Sequence, residues 1–295
     1  MAFADEKTLS LQLGFPCNNR CGFCIASEQR EAYSGRWVSL DYALRALAAA
    51  VKARGYRKVI VTGGEVTLHP MLPRVLRAAK RLGLRVQVQT NGRRLADRGY
   101  AQRLMKAGAD EFFVSVHGDS ARLHERLTRT PGSFAEMERG LRNLRSLGAG
   151  LIANTVIVSA NHRRLPQIAR YIVGLGVADL HFWFITPTGM PDKDPMIPRV
   201  TAAAPFLRRA IRAAEAAGAS VTVKYFPVCL LGAEGGRVDN IQPFDMVAAP
   251  VLHNFLRNGW KFVCPHEEEC PEFSRCGGLT RDYARVHGTQ EVSPP

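Results

Sequence analysis

Between residue 9 and about residue 186, short apolar runs alternate with longer stretches whose apolar residues recur every three or four positions. The short runs are LSLQLGF (9–15), KVIVTGG (58–64), LRVQVQT (84–90), EFFVSVH (111–117), GLIANTVIVS (150–159) and DLHFWFIT (179–186). Their length and β-branched content predict strands. Segments 40–54, 71–82, 94–107, 134–147 and 163–174 between them carry a helical period, as in Tyr42, Leu44, Leu47, Val51 and in Val75, Leu76, Ala79, Leu82. Gly83 and Gly148 stand where two of these helices would end.

Six strands alternating with helices imply right-handed parallel crossovers. An open doubly wound sheet and a barrel-like sheet both satisfy this, and both put functional groups at the C-terminal ends of strands. After residue 187 the character changes: TPTGMPDKDPMIP reads as a linker, followed by a helix (201–217) and a strand (220–226). We therefore expect a core domain over 1–190 and a C-terminal region over 191–295, the latter holding Cys229, Cys264, Cys270 and Cys276.

The 295 residues are 46% hydrophobic and 22% charged, the make-up of a soluble globule able to bury a sizeable core. No apolar run reaches the roughly 18 residues of a membrane span. The opening MAFADEKTLSLQL lacks the basic flank and apolar stretch of a secretory signal. Seven cysteines without an export signal point to reduced thiols, metal and a cytoplasmic location. The formal charge of +14 comes from arginines scattered over many helical faces. A solvated surface accounts for the scatter; an electropositive mouth for an anionic substrate is the sharper reading. Basic clusters interleaved with exposed aromatics are missing, so neither a nucleic-acid nor a membrane partner is expected.

Against this background FPCNNRCGFCIAS (15–27) stands out, because Cys17, Cys21 and Cys24 crowd into a Cys-x3-Cys-x2-Cys spacing. A structural zinc site asks for four ligands. Three thiolates with no fourth nearby suit a cubane iron–sulfur cluster whose remaining iron is open to a non-protein ligand. The amino and carboxylate groups of a methionine moiety would supply a bidentate one. Gly63 and Gly64 lack side chains, so backbone can approach a ligand closely, and Glu65 is placed to accept from an amino group. An ordinary tight turn is the plainer alternative. Ser115 and Asn154 lie in buried strands, where a hydroxyl and an amide need partners from backbone or ligand. His117 and His181 read as satisfied core histidines.

CNNRCGFC, TGGEVTLHP and QTNG, in that order on successive strand ends, resemble the radical S-adenosylmethionine (SAM) superfamily over about residues 9–187. Phe23, just before the last cysteine, belongs to the resemblance; Val66, where the family has a proline, departs from it. The resemblance implies a partial (β/α)6 TIM-like barrel, a [4Fe-4S] cluster on Cys17, Cys21 and Cys24, and SAM as the second cofactor. It implies SAM contacts at Phe23, Gly63, Gly64, Glu65, Asn91, Ser115 and Asn154. Arg126 and Arg129 are weaker candidates for the SAM carboxylate, and Phe23 with FWF (182–184) for its adenine.

GWKFVC (259–264) and CPEFSRCGG (270–278) resemble pieces of the SPASM appendage or its shorter form, twitch. Glu267 and Thr280 stand where the full SPASM pattern has cysteines. The resemblance thus implies one auxiliary [4Fe-4S] cluster, on Cys229, Cys264, Cys270 and Cys276; the same four thiolates equally suit zinc.

The implied chemistry is reductive cleavage of SAM to a 5′-deoxyadenosyl radical that abstracts a hydrogen atom from the substrate, with an electron donor such as flavodoxin or ferredoxin. Because the first strand begins the chain directly, we expect no N-terminal peptide-recognition domain. That favours a small metabolite, such as a sugar, nucleotide or cofactor precursor, with the basic charge favouring an anionic one. A radical SAM peptide maturase is the alternative. A non-catalytic iron–sulfur electron carrier or sensor is the alternative from another class. Residues 224–263 are expected to close the barrel mouth.

Overall fold

The computed structural model describes residues 7–33, 35–188, 190–240, 244–247 and 262–294. Eight strands form one parallel sheet: β1 (Thr8–Gln12), β2 (Lys58–Thr62), β3 (Arg85–Thr90), β4 (Glu111–Ser115), β5 (Gly150–Ile157), β6 (Asp179–Phe184), β7 (Ser220–Lys224) and β8 (Phe244–Val247). Their order, β7-β6-β5-β4-β3-β2-β1-β8, is that of a curled barrel wall. Among the described residues no ladder joins β7 to β8, so the barrel is partial. The sheet carries β7 and β8 beyond the six strands of the alternating region, and β7 falls within the strand expected at 220–226. β7 pairs with β6 from Asp179↔Ser220 to Trp183↔Lys224, which carries the sheet past the linker. Much of the stretch expected to cover the mouth, residues 241–243 and 248–261, lies outside the described residues.

Alternation within the strands decides what lies on each side. In TLSLQ, KVIVT, RVQVQT and EFFVS the apolar positions Leu9, Leu11, Val59, Val61, Val86, Val88, Phe112 and Val114 pack into the core. They meet helices α2 (Leu40–Arg54), α3 (Leu72–Arg81), α4 (Arg98–Ala107), α6 (Ser133–Ser146), α7 (Leu165–Gly174) and α8 (Val200–Glu215), whose Leu47, Leu76, Leu104, Leu141, Ile168 and Leu207 are fully buried. Two shorter helices, α1 (Ser27–Ala32) and α5 (Ala121–Thr128), were not apparent from the period. The alternate strand positions face the lumen and are mostly polar: Ser10, Gln12, Thr62, Gln87, Gln89, Glu111, Ser115, Asn154 and His181. A polar lumen with an apolar outer face explains why strands buried on both sides still alternate.

At the N-terminal end of the barrel, Glu111 is 4% exposed and takes Lys58 Nζ at 2.5 Å, Gln87 Nε2 at 2.6 Å and the Arg85 guanidinium. This paired charge cluster closes the floor. At the chain's other end a two-stranded antiparallel sheet, β9 (Phe262–Val263) with β10 (Leu279–Thr280), flanks a short helix α9 (Phe273–Cys276) and precedes α10 (Arg281–His287). Among the described residues no helix is long and apolar enough to cross a membrane.

Candidate active site at the strand ends

The three cysteines lie on the loop after β1, each partly buried. Neighbouring elements fix the backbone of this loop. Arg20 N–H and Gly22 N–H donate to the Thr128 and Leu127 carbonyls at the end of α5, at 2.9 and 3.1 Å. Arg93 donates to the Asn18 carbonyl and, at 3.1 Å, to Asn19 Oδ1, while its Nε holds Glu136 at 2.5 Å. Arg30 of α1 donates to the Asn19 carbonyl at 2.8 Å. The segment between Cys17 and Cys21 is therefore clamped by two guanidinium groups that sequence reasoning missed. Only the position of Arg93, directly after Asn91-Gly92, could have signalled one of them.

The thiols are close enough to affect one another's ionisation. Burial pushes Cys17 up to about 11 and Cys21 higher still, with the neighbouring cysteines adding to the rise. As free thiols Cys17 and Cys21 stay protonated at neutral pH, so a metal centre bound here must displace their protons. Asn19 N–H points at Cys17 Sγ at 3.4 Å, a donor suited to a cluster thiolate. Among the described residues no three His, Cys, Asp or Glu side chains stand close enough for a single metal ion. Three soft donors on one loop suit a cluster with one open iron.

Gly63 and Gly64 are required by close packing. A Cβ on Gly64 would stand 2.3 Å from the Phe15 carbonyl oxygen, and one on Gly63 2.5 Å from that of Gly14. Gly64 N–H and Glu65 N–H donate to Gly14 and Pro16, both at 2.8 Å, sealing the turn to the start of the cysteine loop. Glu65 is already engaged within the protein. It is 0% exposed, and its carboxylate already accepts from Thr67 N–H (3.1 Å), Thr67 Oγ1 (2.5 Å), Thr90 Oγ1 (2.6 Å) and Asn91 N–H (2.6 Å). It ties the end of β2 to the end of β3, with three donors on Oε1 and one on Oε2. Burial still pushes its carboxyl above the usual range, against these four bonds. Asn91 is similarly committed: its Nδ2 donates to Asn18 Oδ1 at 2.7 Å and its Oδ1 accepts from Arg93 N–H at 3.1 Å.

The remaining candidates divide. Ser115 and Asn154 are register partners facing the lumen, and Asn154 Oδ1 is buried without a hydrogen-bond partner. Phe23 is 8% exposed and lies edge-on to His117, 4.7 Å between ring centroids. Phe182 and Phe184 face the core, leaving only Trp183 of FWF on the lumen side. Arg129 lies against the loop, where a Cβ on Gly22 would come within 3.0 Å of its Nη2; its backbone sits at φ 50°. Arg126 is exposed on α5. His117 is a satisfied core histidine as expected: its Nδ1 accepts from Val156 N–H, and its own N–H donates to His124 Nδ1, both at 3.3 Å.

Cys229, Cys264, Cys270 and Cys276 line one cavity of about 330 Å³, partly continuous with solvent. Val228 N–H donates to Cys276 Sγ at 3.3 Å. His266 also lines it, but its Nδ1 meets Glu269 at 2.6 Å and its Nε2 meets the Val292 carbonyl at 3.2 Å. That leaves four thiols as the ready soft donors. Asn240 was not foreseen: its Nδ2 donates to the Cys276 carbonyl at 2.6 Å while its Oδ1 takes Tyr225 N–H, joining this cavity to the end of β7.

The sequence model of the radical SAM superfamily matches residues 12–172, more than half of the chain and all of the strand-end motifs described above. The chain belongs to the radical SAM superfamily. That membership implies a [4Fe-4S] cluster and SAM. Over 173 residues, 59% of this chain and 44% of the relative, it is 30% identical to an AdoMet-dependent heme synthase of Oleidesulfovibrio alaskensis. Over 189 residues, 62% of this chain and 58% of the relative, it is 29% identical to a probable GTP 3′,8-cyclase of Saccharolobus islandicus. The chain thus spans about half the length of these relatives. In fold it is similar to anSMEcpe with bound AdoMet, at a TM-score of 0.65 and 16% identity, covering 97% of this chain and 92% of that one. It is also similar to Streptococcus suis SuiB, at a TM-score of 0.62 and 13% identity, covering 91% and 54%.

Proposed function

We propose that this chain is a radical SAM enzyme in which Cys17, Cys21 and Cys24 hold the [4Fe-4S] cluster and SAM binds across the adjoining strand ends. One observation supports this above others: the three-thiol loop and the Gly63-Gly64 turn are sealed together at the mouth of a polar-lined partial barrel. When bound, the cluster and SAM supply a 5′-deoxyadenosyl radical that removes a hydrogen atom from the substrate. The chain's own part is to hold and orient. Arg129 offers a guanidinium for the SAM carboxylate beside Gly22, and Ser115 and the unpartnered Asn154 Oδ1 offer hydrogen bonds to a ribose. Cys229, Cys264, Cys270 and Cys276 hold an auxiliary [4Fe-4S] cluster, an assignment supported by their shared cavity. The substrate is a small polar metabolite; the hydrogen-bonding lumen favours it, as do relatives named for small-molecule chemistry. Flavodoxin or ferredoxin supplies the electron, in the cytoplasm.

Anaerobically reconstituted, reduced protein should convert SAM to 5′-deoxyadenosine and methionine, detected by chromatography. The Cys17→Ala, Cys21→Ala, Cys24→Ala triple variant should make none. Product from that variant would overturn the reading.

A further inference from the structure

Four buried side-chain polar atoms at lumen-facing strand positions have no hydrogen-bond partner: Gln12 Oε1, Asn154 Oδ1, His181 Nδ1 and Trp183 Nε1. Gln12 and Asn154 are 8% and 5% exposed. Native interiors leave few such atoms, and three of these sit on the neighbouring strands β5 and β6, where a polar partner would satisfy them. Two of the four, His181 and Trp183, are successive inward positions of β6, about 6.5 Å apart along the strand. Phe113 of β4 packs against both rings, with centroids 5.2 Å from His181 and 5.3 Å from Trp183.

The two polar atoms are of opposite kind. His181 Nε2 lies 3.6 Å from Asp179 Oδ1, beyond hydrogen-bond length but beside a carboxylate, which favours the tautomer with the proton on Nε2 and Nδ1 as acceptor. Burial, then Lys224 and Lys58, push this imidazole down to about 3, so it stays neutral. Trp183 Nε1–H can only donate. One wall therefore presents an acceptor and, one inward position further on, a donor, framed by aromatic rings. The Lys58–Glu111–Arg85 cluster closes the floor beneath it. A ligand that enters from the mouth meets this wall above that cluster.

We propose that this face of β6 recognises the substrate, and that it takes a small planar heterocycle with a lactam edge. The lactam N–H donates to His181 Nδ1 and its C=O accepts from Trp183 Nε1. This rests on the reading of the barrel mouth as a radical SAM active site. The chain has three tryptophans, so the indole N–H region of a ¹H–¹⁵N spectrum holds three signals, and Trp183→Phe assigns the relevant one. Uracil, titrated into the reconstituted protein, should move the Trp183 signal downfield and saturably. 1,3-Dimethyluracil keeps the carbonyls but lacks the N–H, and should bind about tenfold more weakly, the loss of one hydrogen bond. His181→Phe should make the two ligands equal, with an unchanged Trp37 signal as the check on folding. If that variant does not fold, the comparison of the two ligands on the unaltered protein decides alone. No saturable shift, equal binding of the two ligands, or tighter binding of N-acetylglycinamide than of uracil would overturn the proposal, the last making the wall a reader of peptide amides. The same preparation is assayed for 5′-deoxyadenosine. If it forms without the Trp183 shift, only the recognition wall is lost; the shift without 5′-deoxyadenosine removes the radical SAM reading and leaves the binding wall.

Discussion

Glu65 shows how one buried side chain can hold two strand ends together at the mouth of a barrel. Its carboxylate accepts from four donors on Thr67, Thr90 and Asn91. In Glu65→Gln, the new NH₂ must face one of those donors, leaving it unmatched inside a closed interior. The variant should lose about 1–3 kcal/mol of stability by anaerobic urea denaturation, even without SAM. A variant as stable as the parent would place the carboxylate back at the ligand. His124, 1% exposed, behaves as a pH-sensitive counterpart. Burial pushes its imidazole from 6.5 down to about 4. The unfolded chain therefore takes up a proton that the folded chain refuses between those values. Its contribution is fully present above pH 6.5 and is lost as pH falls toward 4. From pH 7 to pH 5 this amounts to about 2 kcal/mol. Denaturation curves at the two pH values should therefore diverge less in His124→Gln than in the parent; equal divergence would exclude His124 as the cause.

At the scale of elements, the cysteine loop is positioned by what packs around it. Gly64→Ala places a Cβ 2.3 Å from the Phe15 carbonyl oxygen, so the turn or the loop has to move. We expect a loss of about 1–3 kcal/mol in stability together with reduced 5′-deoxyadenosine formation. Arg93→Lys keeps the charge but cannot serve Asn18, Asn19 and Glu136 together. It should weaken the loop by about 1–2 kcal/mol and lower the iron retained after desalting, with circular dichroism unchanged. Full iron retention would show that the clamp is dispensable. Much of this level was legible in the chain itself. Strands such as KVIVT and RVQVQT announce themselves by alternation, and the three cysteines by their spacing. The convergence of Thr67, Thr90 and Asn91 on one carboxylate was not legible, because no local pattern encodes contacts between separate strand ends. β7 was recognisable as a strand, but its partner was not, since the linker before it looks like a domain boundary.

For the molecule as a whole, the decisive count is iron. Two cubanes require about eight irons per chain, and the triple alanine variant at Cys17, Cys21 and Cys24 should keep about four, with a brown chromophore. A colourless variant carrying about one zinc by elemental analysis would replace the auxiliary cluster with a structural ion. The Asn240 carboxamide adds a consequence for the C-terminal centre. It binds the backbone at the end of β7 and the carbonyl of Cys276 at once, so the C-terminal cysteines are arranged only when the last stretch of barrel wall has docked. Asn240→Ala should therefore loosen the Cys276 end of this cavity and lower the iron retained by the triple alanine variant, whereas full retention would show the tie to be dispensable.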